Sequence, residues 1–143
     1  MPTRATCERE IERLHEFFVE WYAGKLDQEE FDRMERALAP GFEMITPNGR
    51  RNGREAVLDA VRESAGRNAP GEFDIEIRTV EVVADLGDHA VVRYEEWQTT
   101  PEDETGRIST VLFTEDPDTG RVVWRDLQET WIEDSTAKSS ARS

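Results

Sequence analysis

Apolar residues recur every three to four positions through the first part of the chain and alternate with polar ones through the second. Over residues 7–23, Ile11, Leu14, Phe18, Trp21 and Tyr22 make one apolar stripe, with Glu8, Arg9, Glu12, Arg13 and Glu16 opposite it. That is the signature of an amphipathic helix, which Thr6 can cap and Gly24 can close. Asp27-Gln28-Glu29-Glu30 has the form of a capping box for a second helix, packed through Phe31, Met34 and Leu38 and stopped at Pro40-Gly41. Phe42 to Thr46 predicts a short strand with Phe42, Met44 and Thr46 on one face, leading into the turn Thr46-Pro47-Asn48-Gly49. Asn52-Gly53-Arg54-Glu55 opens a third helix that packs through Ala56, Val57, Ala60 and Val61 and fades by Gly66.

From Phe73 to Glu133 the period changes to that of strands. Ile75, Ile77, Val80 and Val82 mark one strand, which turns at Leu86-Gly87-Asp88 into a second over 90–99. A polar loop over 101–106 leads to strands over 108–114 and 121–133. Residues 134–143 are small and polar, a composition expected to be disordered. Helices first and a meander after predict one α+β domain over 1–133: three N-terminal helices packed on a strongly curved, mainly antiparallel sheet. A concave pocket between the layers is expected.

The order of elements, the junction Gly24-Lys25-Leu26-Asp27, the strand and turn from Phe42 to Gly49, the segment Gly53-Arg54-Glu55-Ala56-Val57 and the closing Val123-Trp124 strand together resemble the nuclear transport factor 2-like superfamily. Within it the chain is most similar to the SnoaL-like relatives of ketosteroid isomerase, over about residues 8–133. The resemblance implies a cystatin-like α+β cone. Members include isomerases, cyclases, dehydratases, epoxide hydrolases and plain binding or assembly domains, so fold leaves function open. The isomerase machinery does not carry across. Its general-base Asp falls on Thr46, its helix-one Tyr on Phe17, and its protonated acid in a stretch, 107–113, without Asp or Glu.

Other candidates remain. The last strand shows Trp124, Asp126, Gln128 and Thr130 on one face and Val123, Arg125, Leu127, Glu129 and Trp131 on the other. Relatives line the pocket from this strand with polar groups, which makes Asp126 and Gln128 the leading pocket residues. The second meander strand sets Val92, Tyr94, Glu96 and Gln98 opposite Val91, Arg93, Glu95 and Trp97. Asp126 or Glu96 in an apolar cavity would have a raised pKa and could carry a proton, with Tyr22 or Tyr94 as donor. The competing reading pairs such a carboxylate with Arg93 or Arg125. Phe17, Trp21, Tyr22, Phe42, Met44, Tyr94, Trp97 and Trp124 could line an aromatic site, or simply build the core.

Composition narrows the classes. The net charge of −14 repels phosphate backbones and anionic lipid, so neither nucleic acid nor membrane is an expected partner. Sixteen Arg against Lys25 and Lys138 fits either a salt-adapted cytoplasm or a GC-rich genome. Cys7 stands alone and is read as an inert thiol; no secretory or membrane segment is seen, so a cytoplasmic location is the default. His15 and His89 are too far apart in sequence, without Cys, to suggest zinc, and Asp116, Asp118 and Gly120 lack the spacing of a calcium loop. No cofactor is expected. Three readings follow: a domain binding a small apolar or aromatic molecule, expected to dimerise through the open sheet face; a cofactor-free cyclase, isomerase or dehydratase using Asp126 or Glu96; or a protein-interaction module. A cavity with converging polar groups and a carboxylate free of Arg would favour the enzyme, an apolar cavity the binder, a filled one the module.

Overall fold

The computed structural model describes residues 2–133. Helix α1 (Arg4–Tyr22) begins three residues earlier than the stripe suggests, because Thr3 rather than Thr6 is the cap: the Thr6 N–H donates to Thr3 Oγ1 at 3.1 Å. At the other end Gly24 takes φ 74°, its N–H donates to Trp21 O and that of Lys25 to Glu20 O. This paired closure needs a left-handed residue, which only glycine adopts without strain. A 3₁₀ turn (Gln28–Phe31), with the expected capping box at Asp27 and Glu30, runs into α2 (Asp32–Ala37).

Strand β1 (Leu38–Ile45) then starts before Pro40-Gly41 rather than after it. Proline is accommodated because the pairing with the neighbouring strand is irregular between Leu38 and Glu43. A short β2 (Arg51–Gly53), not anticipated, folds back on β1 and leads into α3 (Arg54–Glu63). The buried face of α3 is Leu58 and Val61; Ala56 and Ala60, expected in the core, are exposed.

The meander β3 (Asp74–Asp85), β4 (His89–Thr99), β5 (Glu104–Glu115) and β6 (Val122–Trp131) completes a six-stranded sheet of order β2-β1-β6-β5-β4-β3. Among the described residues only β1 against β6 is parallel. The break in alternation between Ile77 and Val80 is a bulge at Thr79, whose φ is 58°. The three helices cover one face of the sheet. Cys7, Ile11, Phe17 and Trp21 of α1 meet Phe31, Met34, Val92, Val111, Phe113 and Trp124 in one continuous core. Trp21 pins α1 to α3 by donating from Nε1 to Val61 O at 2.7 Å. Burial pushes the Cys7 thiol up to about 11, which keeps it protonated and unreactive.

Candidate functional site

Between the roof and the sheet lies a cavity of about 270 Å³. Leu14, Phe18, Met34, Phe42, Met44 and Leu127 form its apolar wall, and His15, Glu96, Gln98, Arg107 and Glu129 its polar end. Strand register assembles that end. Tyr94, Ser109 and Glu129 face one another across β4, β5 and β6, and Glu96, Arg107 and Trp131 form the next row. Side chains of neighbouring strands at matched positions share a face, so two adjacent rows put two carboxylates, a guanidinium and two hydroxyls side by side.

The face of β6 is decided by one extra residue. Phe113 pairs with Trp124 but Leu112 with Asp126, so Arg125 is looped out and the alternation inverts. Trp124 points inward; after the bulge Leu127 and Glu129 do, while Arg125, Asp126 and Gln128 are exposed. The expectation that Asp126 and Gln128 face the pocket is therefore corrected: both lie on the outer side, and Glu129 takes the place intended for them. Strict alternation through the strand gave the wrong answer because it took no account of the bulge.

Other candidates divide. Tyr22, Phe42, Met44, Glu96 and Trp124 line the cavity, and Tyr94 is fully buried beside His15 with 5.8 Å between ring centres. Phe17 and Trp21 stack on each other at 5.6 Å and belong to the core rather than to the cavity wall. Trp97 is on the outer face, lying over Gly106, where a Cβ would sit 2.8 Å from the indole. Neither Arg93 nor Arg125 reaches Glu96; they bond Thr110 and Gly41 O.

The partner of Glu96 is His15, which sequence spacing could not suggest because it comes from α1, 81 residues away. His15 Nε2 lies 3.0 Å from Glu96 Oε1, and both side chains are buried. The tautomer follows from geometry. His15 Nδ1 is 2.7 Å from Ile11 O, a carbonyl that can only accept, so Nδ1 carries a proton. Burial by itself disfavours charge on either ring or carboxyl. Their attraction outweighs it: the imidazole is held above its usual range, and Glu96 is held down at about 2 by His15, Arg107 and the Gln98 amide, which donates to Oε2 at 2.7 Å. Both shifts favour the charged form of the pair, imidazolium with carboxylate.

Glu129 behaves oppositely. Burial and the charge of Glu96 raise its pKa to about 7, against the pull of Arg107, which donates from Nη1 to Oε1 at 3.1 Å. Ser109 Oγ stands 3.4 Å from Oε2. Two carboxyl groups in one cavity thus have their pKa values pushed in opposite directions. Tyr94 Oη and Arg107 Nε are buried and have no hydrogen-bond partner among the described residues. Among the described residues no group of three or more His, Cys, Asp or Glu suited to a metal ion occurs, and no helix is long and apolar enough to cross a membrane.

A helix-roofed, curved mixed sheet with a mixed-polarity hollow defines a protein of nuclear transport factor 2-like, cystatin-like architecture. Comparison with solved structures agrees. An NTF2-like protein of unknown function from Pseudomonas aeruginosa is 33% identical, covers 89% of this chain and 98% of its own, and superposes with TM-score 0.81. A cystatin-like protein from Caulobacter vibrioides (15% identity, 97% of each chain, TM-score 0.66) and an LEH-like epoxide hydrolase from M. tuberculosis (16%, 87% of each, 0.51) share the fold alone. Residues 8–133 match the family described as sucrose-6-phosphate phosphohydrolase C-terminal, and the chain belongs to it. Among curated proteins no match is found.

Proposed function

We propose that the chain is a small-molecule-binding domain whose ligand, with an apolar body and a polar end, occupies the cavity beneath α1. The observation that carries this reading is the cavity itself: an apolar wall from Leu14 to Leu127 closed at one end by charged groups already ordered by their own bonds. Preorganised polar groups in an apolar hollow fix a ligand's orientation at little entropic cost. The test is a binding screen by tryptophan fluorescence, since Trp124 lines the cavity, run in parallel on a cavity-filling Leu127→Trp variant. Hits that survive the filling are bound elsewhere and count against the reading.

A second reading, proton-transfer chemistry, is favoured by one specific observation. Glu129 at about 7 exchanges its proton near neutral pH, while Glu96, paired with His15 rather than with arginine, stays ionised. In that reading Glu129 carries the proton, in place of Asp126. It predicts turnover that disappears in Glu129→Gln while ligand binding persists.

A further inference from the structure

A second hollow, of about 440 Å³, opens between α1, α2 and the start of β6, and shares only Leu14 with the cavity beneath the roof. Arginine gathers there. Arg13 comes from α1, Arg33 and Arg36 from α2, and Arg121 from the residue before β6. In a chain with 32 acidic against 18 basic residues, four arginines from three segments lining one cleft reverse the general balance.

Ion pairing accounts for one of the four. Arg36 Nε lies 3.0 Å from Asp32 Oδ2, one turn earlier on α2. Arg13, Arg33 and Arg121 form no ion pair among the described residues. Three glutamates also line the cleft, and their placing explains why. Glu10 is close enough to Arg13 and Arg121 for their charges to act on it, yet its carboxyl accepts from Trp124 Nε1 at 3.0 Å instead. Glu16 and Glu20 stand on the crest of α1, exposed, at the rim shared with the neighbouring groove between α1 and β3.

The floor and the backbone favour the three remaining cations as a binding set. Leu14, Phe17, Ala37 and Val122 are buried beneath them, and over apolar ground water screens a charge less. Arg33 lies across the Phe17 ring, 5.3 Å from its centre. Arg121 is fixed on both sides: its N–H donates to Thr119 Oγ1 at 3.2 Å, and its carbonyl accepts from the Asp116 N–H at 2.8 Å. Donors positioned before the ligand arrives lose less entropy on binding.

We propose that this cleft binds a phosphate group, carried by a small organic monoester or by free phosphate, through Arg13, Arg33 and Arg121. A guanidinium has N–H donors and no acceptor, in a fork that matches the oxygens of an oxyanion. Three forks exceed what one carboxylate can occupy or balance, since it brings two oxygens and a single charge. A phosphate monoester brings three free oxygens and about two negative charges at neutral pH, one oxygen for each arginine. The organic part of an ester lies on Leu14 and Phe17. A net charge of −14 repels anions in general, so affinity for one has to come from a local site and not from the field of the whole molecule.

The experiment is calorimetric titration of the full chain at pH 7.5, in a buffer free of phosphate, with inorganic phosphate, phenyl phosphate and two monoanions, dimethyl phosphate and benzoate. The first two bind, about tenfold or more tightly than either monoanion. Tighter binding of phenyl phosphate identifies an ester as the source, and equal or weaker binding identifies free phosphate. Arg13→Gln and Arg121→Gln, both at exposed positions, each weaken binding about fivefold or more, and Arg121→Lys, which keeps the charge but not the fork, falls between. Arg50→Gln makes the same change of net charge in the turn before β2 and leaves affinity as it was. Leu127→Trp, which fills the other cavity, also leaves it unchanged, so this site and the cavity reading stand or fall separately. Thermal melts verify that each variant folds. The assignment is overturned if neither phosphate binds, if the monoanions bind as tightly, if Arg13→Gln and Arg121→Gln bind no more weakly than Arg50→Gln, or if Leu127→Trp abolishes binding.

Discussion

His15 on α1 and Glu96 on β4 meet at 3.0 Å in the interior, and their bond ties the helical roof to the sheet it covers. Neither residue is stable there by itself. An imidazolium or a carboxylate buried alone would give up its charge or move to water, so each position depends on the other.

Removing one partner should therefore cost more than removing both. His15→Ala leaves Glu96 uncompensated and is expected to lose about 3–5 kcal/mol, while the paired change His15→Leu with Glu96→Leu should cost much less. Urea unfolding of the single and double variants measures the coupling. Equal losses in all of them would show that the pair is not a buried charge couple.

The pH dependence of stability follows from three shifts with different signs. Glu96, lowered to about 2, contributes stability that is present above the ordinary carboxylate range and lost as pH falls toward 2. His15 is raised, so its contribution is full below the usual imidazole value and lost as pH climbs through the folded one. Glu129 is raised to about 7: the folded state holds its proton more tightly than the unfolded chain, so stability declines as pH rises from about 4.5 to 7, by on the order of 3 kcal/mol. Melting should peak near pH 5 and fall toward pH 8. In Glu129→Gln the slope between pH 5 and 7 should flatten; an unchanged slope would assign it to the surface charge instead.

The bulge at Arg125 makes a sharp contrast available. Asp126→Ala changes an exposed side chain and should shift stability by less than about 0.5 kcal/mol with ligand binding intact, whereas Glu129→Ala, two residues past the inversion at Leu127, strips Arg107 of its partner and should cost several times as much. Deleting Arg125 removes the extra residue and leaves Trp124, Leu127 and Glu129 on the inner face of a regular strand, so a cooperative melt is expected to survive; loss of folding would count against Arg125 being the extra residue.

On the outer face, Gly106 exists for Trp97. A methyl group there would stand 2.8 Å from the indole carbons, closer than contact allows. Gly106→Ala should cost about 1–3 kcal/mol and move the Trp97 fluorescence, and pairing it with Trp97→Val should recover most of the loss. No recovery in the pair would trace the cost to the strand backbone.

How much could be read in advance depended on the range of the interactions. The capping box at Asp27 and Glu30, the closure at Gly24 and the strand parity of Tyr94 and Glu96 are set by neighbours within a few residues, and all were legible. The bulge at Thr79 leaves a trace, since Ile77 and Val80 flank it three residues apart, but the strand pattern reads on through it without a break. That at Arg125 could not be read directly, because the charged run Arg125-Asp126 gives no apolar beat to reveal the lost step. Leu127 was the available clue, an apolar residue on what strict alternation called the solvent face.

By itself the sequence determined the elements other than β2, their order, the layer they form and the family they resemble, because hydrophobic period and turn chemistry act locally along the chain. It also supplied Glu96 as a pocket carboxylate. Only the tertiary structure decided its partner and the exchange of Asp126 for Glu129. Those depend on which side chains meet across a helix–sheet contact and on where one strand slips by a residue. Protonation in a closed hollow is set by such neighbours, not by the identity of the residue that titrates.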